Sequence, residues 1–138
     1  MEGPTIPWRY GRPDAVDPSS VTPDGRLPSA DSGPPGASPE DAAQLRQVFG
    51  RMGFDDKEIV TLSGAHALGR CNTAFSGYDG PWTATPDKFN NLYYQFLTQL
   101  PWVERKWNGP FQYANQGSEN FMMLPTDFIL LEDKAFRR

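Results

Sequence analysis

The first amphipathic stretch of the chain follows Ser38. Ser38 is a favourable N-cap, and the sequence Pro-Glu-Asp after it places proline at the first helical position and acids in the first turn. Four apolar residues then lie at spacings that put them on one helix face: Leu45, Val48, Phe49 and Met52. We predict a helix that begins after Ser38 and is terminated by Gly53.

A second helix is predicted directly after the first. Asp55 is an N-cap residue with an acid three positions later, Glu58, as in a capping box. One face of this helix carries three residues: Ile59, Leu62 and His66. Small residues stand directly before His66, and Gly69 can close the helix. The pattern therefore places an imidazole on an apolar face, near a helix C-terminus, beside a gap that a flat partner could occupy.

Four more elements are predicted beyond the loop SGYDGPW. The sequence Thr85-Pro86-Asp87 indicates the start of a third helix, whose apolar face consists of Phe89, Leu92, Tyr93, Phe96 and Leu100. The sequence WVERKWNGPFQY favours a short β-hairpin around Asn108-Gly109. The sequence NFMMLPTDFILLEDKAF predicts a buried extended piece, a break at Pro125 and a last helix capped by Thr126 or Asp127.

The chain divides into two parts of different composition. Residues 1–39 hold nine of the fourteen prolines and show no helical or strand periodicity, which predicts extended chain and turns. All but two of the aromatic residues lie from Phe49 onward. We therefore expect a Pro/Gly-rich extended segment over 1–39 and a helical domain over 40–138, giving a mainly α fold with a long N-terminal loop region.

Charge and cysteine content exclude several classes of protein. The net charge is −4 and the longest basic run is the terminal Arg137-Arg138, so we expect no nucleic-acid partner. The single Cys71 cannot form an internal disulfide or a Cys-rich zinc site. There is no apolar run of membrane length and no secretion-signal pattern after Met1, so we expect no membrane association.

His66 is the only histidine of the chain, and two interpretations of it stay open from the residues alone. A histidine on an apolar face is commonly a core residue satisfied by one hydrogen bond. No nucleophile-elbow motif frames the nearby Ser63, so a hydrolytic triad is not indicated. One imidazole can, however, serve unaided as the axial ligand of haem iron. That role needs a carboxylate on the far ring nitrogen, for which Asp127 is a candidate.

Three separated motifs add a resemblance to a known family. The sequences LSGAHALGR, SGYDGPW and MMLPTDF occur in this order with matching intervals, and the similarity extends back to IPWRYGR and DGRLPSA. The chain resembles the proximal half of the class I haem peroxidases and is most similar to the cytochrome c peroxidases among them. The resemblance implies the proximal lobe of the all-α haem peroxidase fold, haem b as cofactor, and reduction of hydrogen peroxide with electrons from cytochrome c in oxidative-stress defence.

The resemblance also implies roles for individual residues. His66 matches the axial iron ligand, and Asp127 matches the carboxylate that accepts its other ring N–H. Trp82 matches the indole that carries an oxidising equivalent as a radical in electron transfer, although an ordinary core tryptophan is the alternative. Arg70 and Ser76 match positions near the haem propionates; for Arg70 a solvated surface position is the alternative.

Departures from the family pattern refine the prediction. Ascorbate-using relatives have Arg where Phe75 stands and Thr where Ala67 stands, so the resemblance favours cytochrome c as electron donor. Asn72 replaces a histidine that is common near a propionate. The sequence SGPPGASPED before the first helix is longer than the family pattern predicts.

The largest departure concerns the opposite face of the haem. The family reaction uses a distal His and Arg on a helix that precedes this region, and this chain has no second histidine. We therefore expect a partial chain, such as a fragment, whose own activity is doubtful. The alternatives are a non-catalytic haem-binding or interaction module derived from a peroxidase, and a folded scaffold with a Pro-rich recognition arm. The sequence does not determine the compartment; the resemblance favours a mitochondrial or other intracellular location.

Overall fold

The structure is a computed structural model that describes residues 3, 5–11 and 13–138. Five α-helices follow one another along the chain: α1 (Pro39–Arg51), α2 (Asp56–Ser63), α3 (Thr73–Ser76), α4 (Leu92–Gln99) and α5 (Pro125–Glu132). Five short strands lie between them: β1 (Arg70–Cys71), β2 (Gly80–Pro81), β3 (Trp102–Glu104), β4 (Tyr113–Asn115) and β5 (Met122–Met123). Two 3₁₀ turns, Pro18–Ser20 and Gly64–Ala67, complete the elements of the described residues.

The predicted starts of α1 and α2 are confirmed. Ser38 is the N-cap of α1, and its backbone N–H and hydroxyl both donate to the carboxylate of Asp41, at 2.9 and 3.0 Å. Asp55 caps α2 by accepting from the Glu58 amide at 2.8 Å, while Glu58 accepts from the Asp55 amide at 2.9 Å. Gly53, just after α1, has a φ of 92°, which a residue with a Cβ adopts only with strain.

Two predicted helix starts are wrong. The third helix begins at Leu92 rather than near Thr85, because Thr85 starts a separate turn in which its carbonyl accepts from the Lys88 amide at 2.9 Å. The last helix begins at Pro125 with Leu124 as N-cap, so neither Thr126 nor Asp127 caps it. Asp127 lies instead at the third helical position, and its carboxylate accepts from the Leu124 amide at 2.7 Å.

Two small antiparallel sheets accompany the helices. β1 pairs with β2, and β3, β4 and β5 form a three-stranded sheet in that order. The predicted hairpin is present as the β3–β4 pair, with Trp102 opposite Asn115 and Glu104 opposite Tyr113. The predicted buried extended piece is β5, in which both methionines are buried. The predicted mainly α fold is therefore confirmed only in part: helices are the larger elements, but two small sheets accompany them and only one hairpin was predicted.

The core lies where α1, α2, α4, α5 and β5 meet. Its fully buried large side chains include Ile59, Tyr93, Met122 and Met123. Gly64 permits α4 to lie close to the turn after α2, since a Cβ on Gly64 would stand 2.6 Å from the Tyr94 hydroxyl. This contact brings α4 beside the turn that carries the histidine.

The N-terminal segment is mostly exposed, and several hydrogen bonds attach it to the helical part, two of them near the cavity described below. The Ala30 carbonyl accepts from the backbone and hydroxyl of Thr126, at 3.4 and 3.2 Å. The Ser32 amide donates to the buried carboxylate of Asp41 at 2.8 Å. Residues 1, 2, 4 and 12 of the predicted 1–39 segment lie outside the described residues, and the division at residue 39 stays a prediction. Within the described residues, none of the helices has the length and apolar character needed to cross a membrane.

Candidate functional site

His66 lies in the 3₁₀ turn Gly64–Ala67, which continues α2 after its last α-helical residue. Its Nδ1 is 2.8 Å from Oδ1 of Asp127, 61 positions later in the chain. Because an ionised carboxylate only accepts hydrogen bonds, Nδ1 is the donor and Nε2 carries the lone pair in the neutral ring. The contact therefore fixes one tautomer of His66 and leaves Nε2 with a lone pair that a metal could accept.

The carboxylate of Asp127 is fully occupied by donors. Oδ1 accepts from His66 at 2.8 Å and from the Tyr93 hydroxyl at 2.7 Å. Oδ2 accepts from Trp82 Nε1 at 2.8 Å and from the Leu124 amide at 2.7 Å. Asp127 is 1% exposed, so these four hydrogen bonds replace the water that the charge would otherwise bind. The four donors come from four different parts of the chain.

Trp82 packs directly against the histidine. It follows β2, is buried, and its ring lies 4.1 Å from the His66 ring centroid with an interplanar angle of 13°. The indole N–H points to Asp127 while its face covers the imidazole, so one side chain restrains both partners. The ring of Tyr93 also contacts the imidazole edge-on, with ring centroids 5.7 Å apart. The imidazole is therefore held by packing as well as by its hydrogen bond.

Burial and charge act in opposite directions on the pKa values of this pair. Burial lowers the pKa of His66, but the charge and hydrogen bond of Asp127 outweigh it and raise the pKa above 6.5. Burial raises the pKa of Asp127, but His66, the Leu124 amide and Tyr93 together bring it below 3.8. Burial and the adjacent carboxylate raise the pKa of Tyr93 well above 10. Asp127 is therefore ionised and Tyr93 neutral near pH 7.

A cavity of about 350 Å³ lies in front of His66. Its walls come from the N-terminal segment, α1, the end of α2 and the start of α5: Pro28, Ser29, Ala30, Leu45, Phe49, Leu62, Ser63, Ala65, His66, Leu124, Thr126 and Asp127. The lining is mostly apolar. Leu62, predicted on the same face as His66, is 41% exposed because it borders this cavity rather than the core.

The structure brings together three of the five predicted site residues. His66, Asp127 and Trp82 form one connected cluster. Arg70 and Ser76 are not among the cavity-lining residues of the described chain: Arg70 is exposed and 3.3 Å from Asp79, and the Ser76 hydroxyl donates to backbone carbonyls near the end of α3. Their predicted contacts with a cofactor stay predictions.

The residues that mark departures from the ascorbate pattern have different environments. Ala67 is fully buried at the end of the 3₁₀ turn, and Phe75 is 91% exposed on α3. Asn72 caps α3 by accepting from the Ala74 amide at 3.0 Å. Asn72 thus has a structural role of its own.

Tyr93 is the site residue that sequence reasoning missed. The sequence pattern places it on the apolar face of the third predicted helix, and its spacing does not link it to Asp127. A signal did exist, since a tyrosine in an otherwise apolar helix face needs a partner for its hydroxyl when buried.

An imidazole with a buried carboxylate behind it and a stacked indole beside it, at the edge of an apolar cavity, defines a candidate haem-ligand site. The peroxidase family model matches residues 1–138, and the chain belongs to that family.

Curated relatives carry more specific names. The chain is 52% identical over 136 residues to the mitochondrial cytochrome c peroxidase of Cryptococcus neoformans, covering 99% of this chain and 34% of the relative. It is 49% identical to the protein of the same name from Emericella nidulans and 50% identical to that of Neurospora crassa, covering all of this chain and 36% of each relative. The chain thus spans about a third of the length of these relatives.

Proposed function

We propose that the chain supplies the proximal, haem-binding part of a haem peroxidase, with His66 as the axial ligand of haem b through Nε2. The observation that carries this proposal is the 2.8 Å contact from His66 Nδ1 to Asp127 at the edge of an apolar cavity. One imidazole backed by a carboxylate suits a metal that brings its remaining ligands with it, as iron does in a porphyrin. Leu62 and Ala65 border the same cavity and offer apolar contact to a flat ring.

Each residue of the His66–Asp127–Trp82 cluster has its own proposed role. His66 donates its Nδ1 proton to Asp127, which makes the imidazole a stronger electron donor at Nε2. Trp82 stacks on the ring and donates to the second carboxylate oxygen, so it prevents Asp127 from rotating away. The bound haem iron would supply the redox chemistry of peroxide reduction, in which hydrogen peroxide takes up two electrons and two protons and gives two waters.

We propose Trp82 as the residue that passes electrons toward the site. Its indole lies 4.1 Å from the imidazole, and its N–H already has an acceptor in Asp127, which would stabilise positive charge on the ring. We propose cytochrome c as the donor and the mitochondrion as the location. Both are supported by the names of the relatives. Phe75 and Ala67, which lack the groups expected for ascorbate use, further support the choice of donor. Arg70 and Ser76 are proposed to lie near the haem propionates, as the resemblance implies.

Haem reconstitution tests the ligand. The chain with added haem should give the absorption spectrum of histidine-ligated iron, and His66→Ala should lose it. Added imidazole should restore the spectrum in His66→Ala by entering the vacated space. Ser63→Ala is the matched control, because Ser63 borders the same cavity but donates its hydroxyl to the Ile59 carbonyl at 3.0 Å. An unchanged spectrum in His66→Ala would overturn the assignment.

A second candidate function is a haem-binding or interaction module without catalysis. It is favoured by one observation: the sequence has a single histidine. If His66 binds the iron, these residues contain no second imidazole that could move protons at the peroxide. Steady-state peroxide consumption separates the two. A rate for the haem-loaded chain no higher than that of free haem supports the binding module for these 138 residues. A rate far above that background, lost in Asp127→Asn, supports catalysis.

A further inference from the structure

Tyr93 contacts the His66–Asp127 pair at the oxygen where that pair is joined. Its hydroxyl donates to Oδ1 of Asp127 at 2.7 Å, the same oxygen that accepts from His66 Nδ1 at 2.8 Å. Trp82 and the Leu124 amide use the other oxygen. Tyr93 is therefore the only donor of the described residues that competes with His66 for one acceptor atom.

We propose that Tyr93 is a positioning residue that weakens the hold of Asp127 on the His66 proton and so sets how strongly His66 donates electrons to iron. A hydrogen bond to a carboxylate oxygen draws electron density from it, which makes that oxygen a poorer acceptor for a second donor. The imidazole then keeps more of its Nδ1 proton and binds iron(III) less strongly through Nε2. This inference rests on the proposed function only where iron is involved.

The surroundings of Tyr93 make the effect large. The side chain is 0% exposed, so water cannot take the place of its hydroxyl or screen its dipole. Its ring is held between His66, at 5.7 Å, and Tyr94, at 5.0 Å, both edge-on. Its position on α4 is fixed by the close approach of the Tyr94 ring, which Tyr94→Phe keeps, to Gly64. The phenol therefore donates from a fixed place to a desolvated charge.

The neighbouring Tyr94 offers a matched control. It stands on the same helix, and its hydroxyl donates to the Val60 carbonyl at 2.6 Å and contacts that of Thr61 at 3.1 Å. Tyr94→Phe, like Tyr93→Phe, removes one phenol hydroxyl, but it leaves Asp127 with its four donors. A general cost of deleting a phenol hydroxyl near the site should appear in both variants.

The first experiment measures the iron(III)/iron(II) midpoint potential of the haem-loaded chain by spectroelectrochemistry. Tyr93→Phe should lower the potential, because Asp127 then accepts more strongly from His66 and the imidazole favours iron(III). Tyr94→Phe should leave it at the wild-type value. Site-specific 3,5-difluorotyrosine at position 93, a stronger donor than tyrosine, should raise it. The two substitutions should therefore shift the midpoint potential in opposite directions. A purely structural role of Tyr93 would not order the potential by the strength of the donor at position 93.

The second experiment needs no haem. In the cofactor-free chain with labelled histidine, the Nδ1–H proton of His66 should move to lower field in NMR spectra of Tyr93→Phe and to higher field with difluorotyrosine. Identical proton shifts in wild type, Tyr93→Phe and the fluorinated protein would overturn the inference, as would a potential that rises in Tyr93→Phe. Failure of the wild type to bind haem would instead overturn the proposed function, while the NMR order would still decide the role of Tyr93.

Discussion

Two carboxylate clusters hold the helices of this chain together, and they differ in almost every physical respect. The cluster around Asp127 is buried and takes its donors from an imidazole, an indole, a phenol and an amide. The other lies near the surface, where Arg46 of α1 bridges Asp56 at the start of α2 and Asp133 just after α5. Its three side chains are 20–36% exposed, and the guanidinium also lies 4.2 Å above the ring of Phe136.

The comparison shows what burial does to a carboxylate. In the surface cluster, the positively charged guanidinium of Arg46 forms ion pairs with Asp56 and Asp133. Its hydrogen bonds hold the pKa of Asp133 far below the usual range. Water reaches all partners, so the interaction mainly links three helices. The carboxylate of Asp127 is buried, so water does not screen its charge. A change in the strength of one of its four hydrogen bonds therefore changes the strength of the other three. The surface cluster links helices, whereas the buried cluster can also change how strongly the imidazole of His66 donates electrons.

The largest predicted effect follows from removing the buried charge. Asp127→Ala leaves His66, Trp82, Tyr93 and the Leu124 amide without an acceptor in a dry environment, and we expect a loss of about 3–5 kcal/mol in the free energy of unfolding. Urea denaturation monitored by circular dichroism measures it. A loss below that of Arg46→Met would show that the buried cluster is not the stronger constraint.

Trp82→Phe should have the next largest effect. The variant keeps an aromatic ring near His66 but removes the N–H donor to Asp127, and a hydrogen bond to a charged group contributes about 1.5–3 kcal/mol. The matched control is Trp102→Phe, in which the lost N–H donates to the neutral Phe96 carbonyl at 3.0 Å. We expect a loss of about 1 kcal/mol there. Equal losses in the two variants would contradict a special role for the Asp127 charge.

Arg46→Met should cost less, about 1 kcal/mol, because the ion pairs are partly solvated. The cost should shrink in 1 M KCl, where the Debye length is about 3 Å, while that of Asp127→Ala should not change. Arg51→Met, which removes a single exposed contact to the Arg26 carbonyl, is the control and should stay within about 0.5 kcal/mol of wild type. A salt-independent Arg46 effect would mean that the arginine acts through packing alone.

The smallest effect is a dependence on pH, measured as unfolding free energy of the haem-free chain. The lowered pKa values of Asp127 and Asp133 contribute stability above the ordinary value of 3.8, which is lost as the pH falls. The raised pKa of His66 contributes stability below 6.5, which is lost as the pH rises through the higher folded value. We therefore expect a maximum between these two values.

The alkaline side of this profile is specific to the buried cluster. His66 is the only histidine, so His66→Gln should remove the decline that begins at pH 6.5 and keep both the acid decline from Asp133 and any decline above pH 9.0, where the half-buried Cys71 thiol contributes. A decline between pH 6.5 and 9.0 that persists in His66→Gln would assign it to another group.

Local signals made parts of this fold predictable. The caps at Ser38 and Asp55 act within four residues of the chain, so their sequence patterns gave the starts of α1 and α2. The predicted start of α4 was wrong because Thr85-Pro86-Asp87 has residue types typical of a helix N-terminus but forms a separate turn. The predicted start of α5 was wrong because Asp127, a residue type typical of an N-cap, lies at the third helical position. There its carboxylate accepts from the Leu124 amide as well as from donors of distant segments.

The candidate site shows the same division. His66, Trp82 and Asp127 were identified through motifs that a family resemblance connects, and the structure places them in mutual contact. Tyr93 lies 34 positions from Asp127, and nothing in the spacing of either segment links the two. Such pairs depend on how α4 packs on α5, which residue patterns within a single helix do not specify.

The attachment of the N-terminal segment to α1 and α5 provides a way to observe the cavity. Residues 28–30 form one cavity wall, held by the Ser32 amide on Asp41 and by the Thr126 amide on the Ala30 carbonyl. We predict that this wall detaches while the helices stay folded, and that these two amide protons exchange with solvent through that local opening. A molecule bound in the cavity closes that opening in proportion to its concentration and affinity. The exchange rates of Ser32 and Thr126 therefore report how long the cavity stays filled.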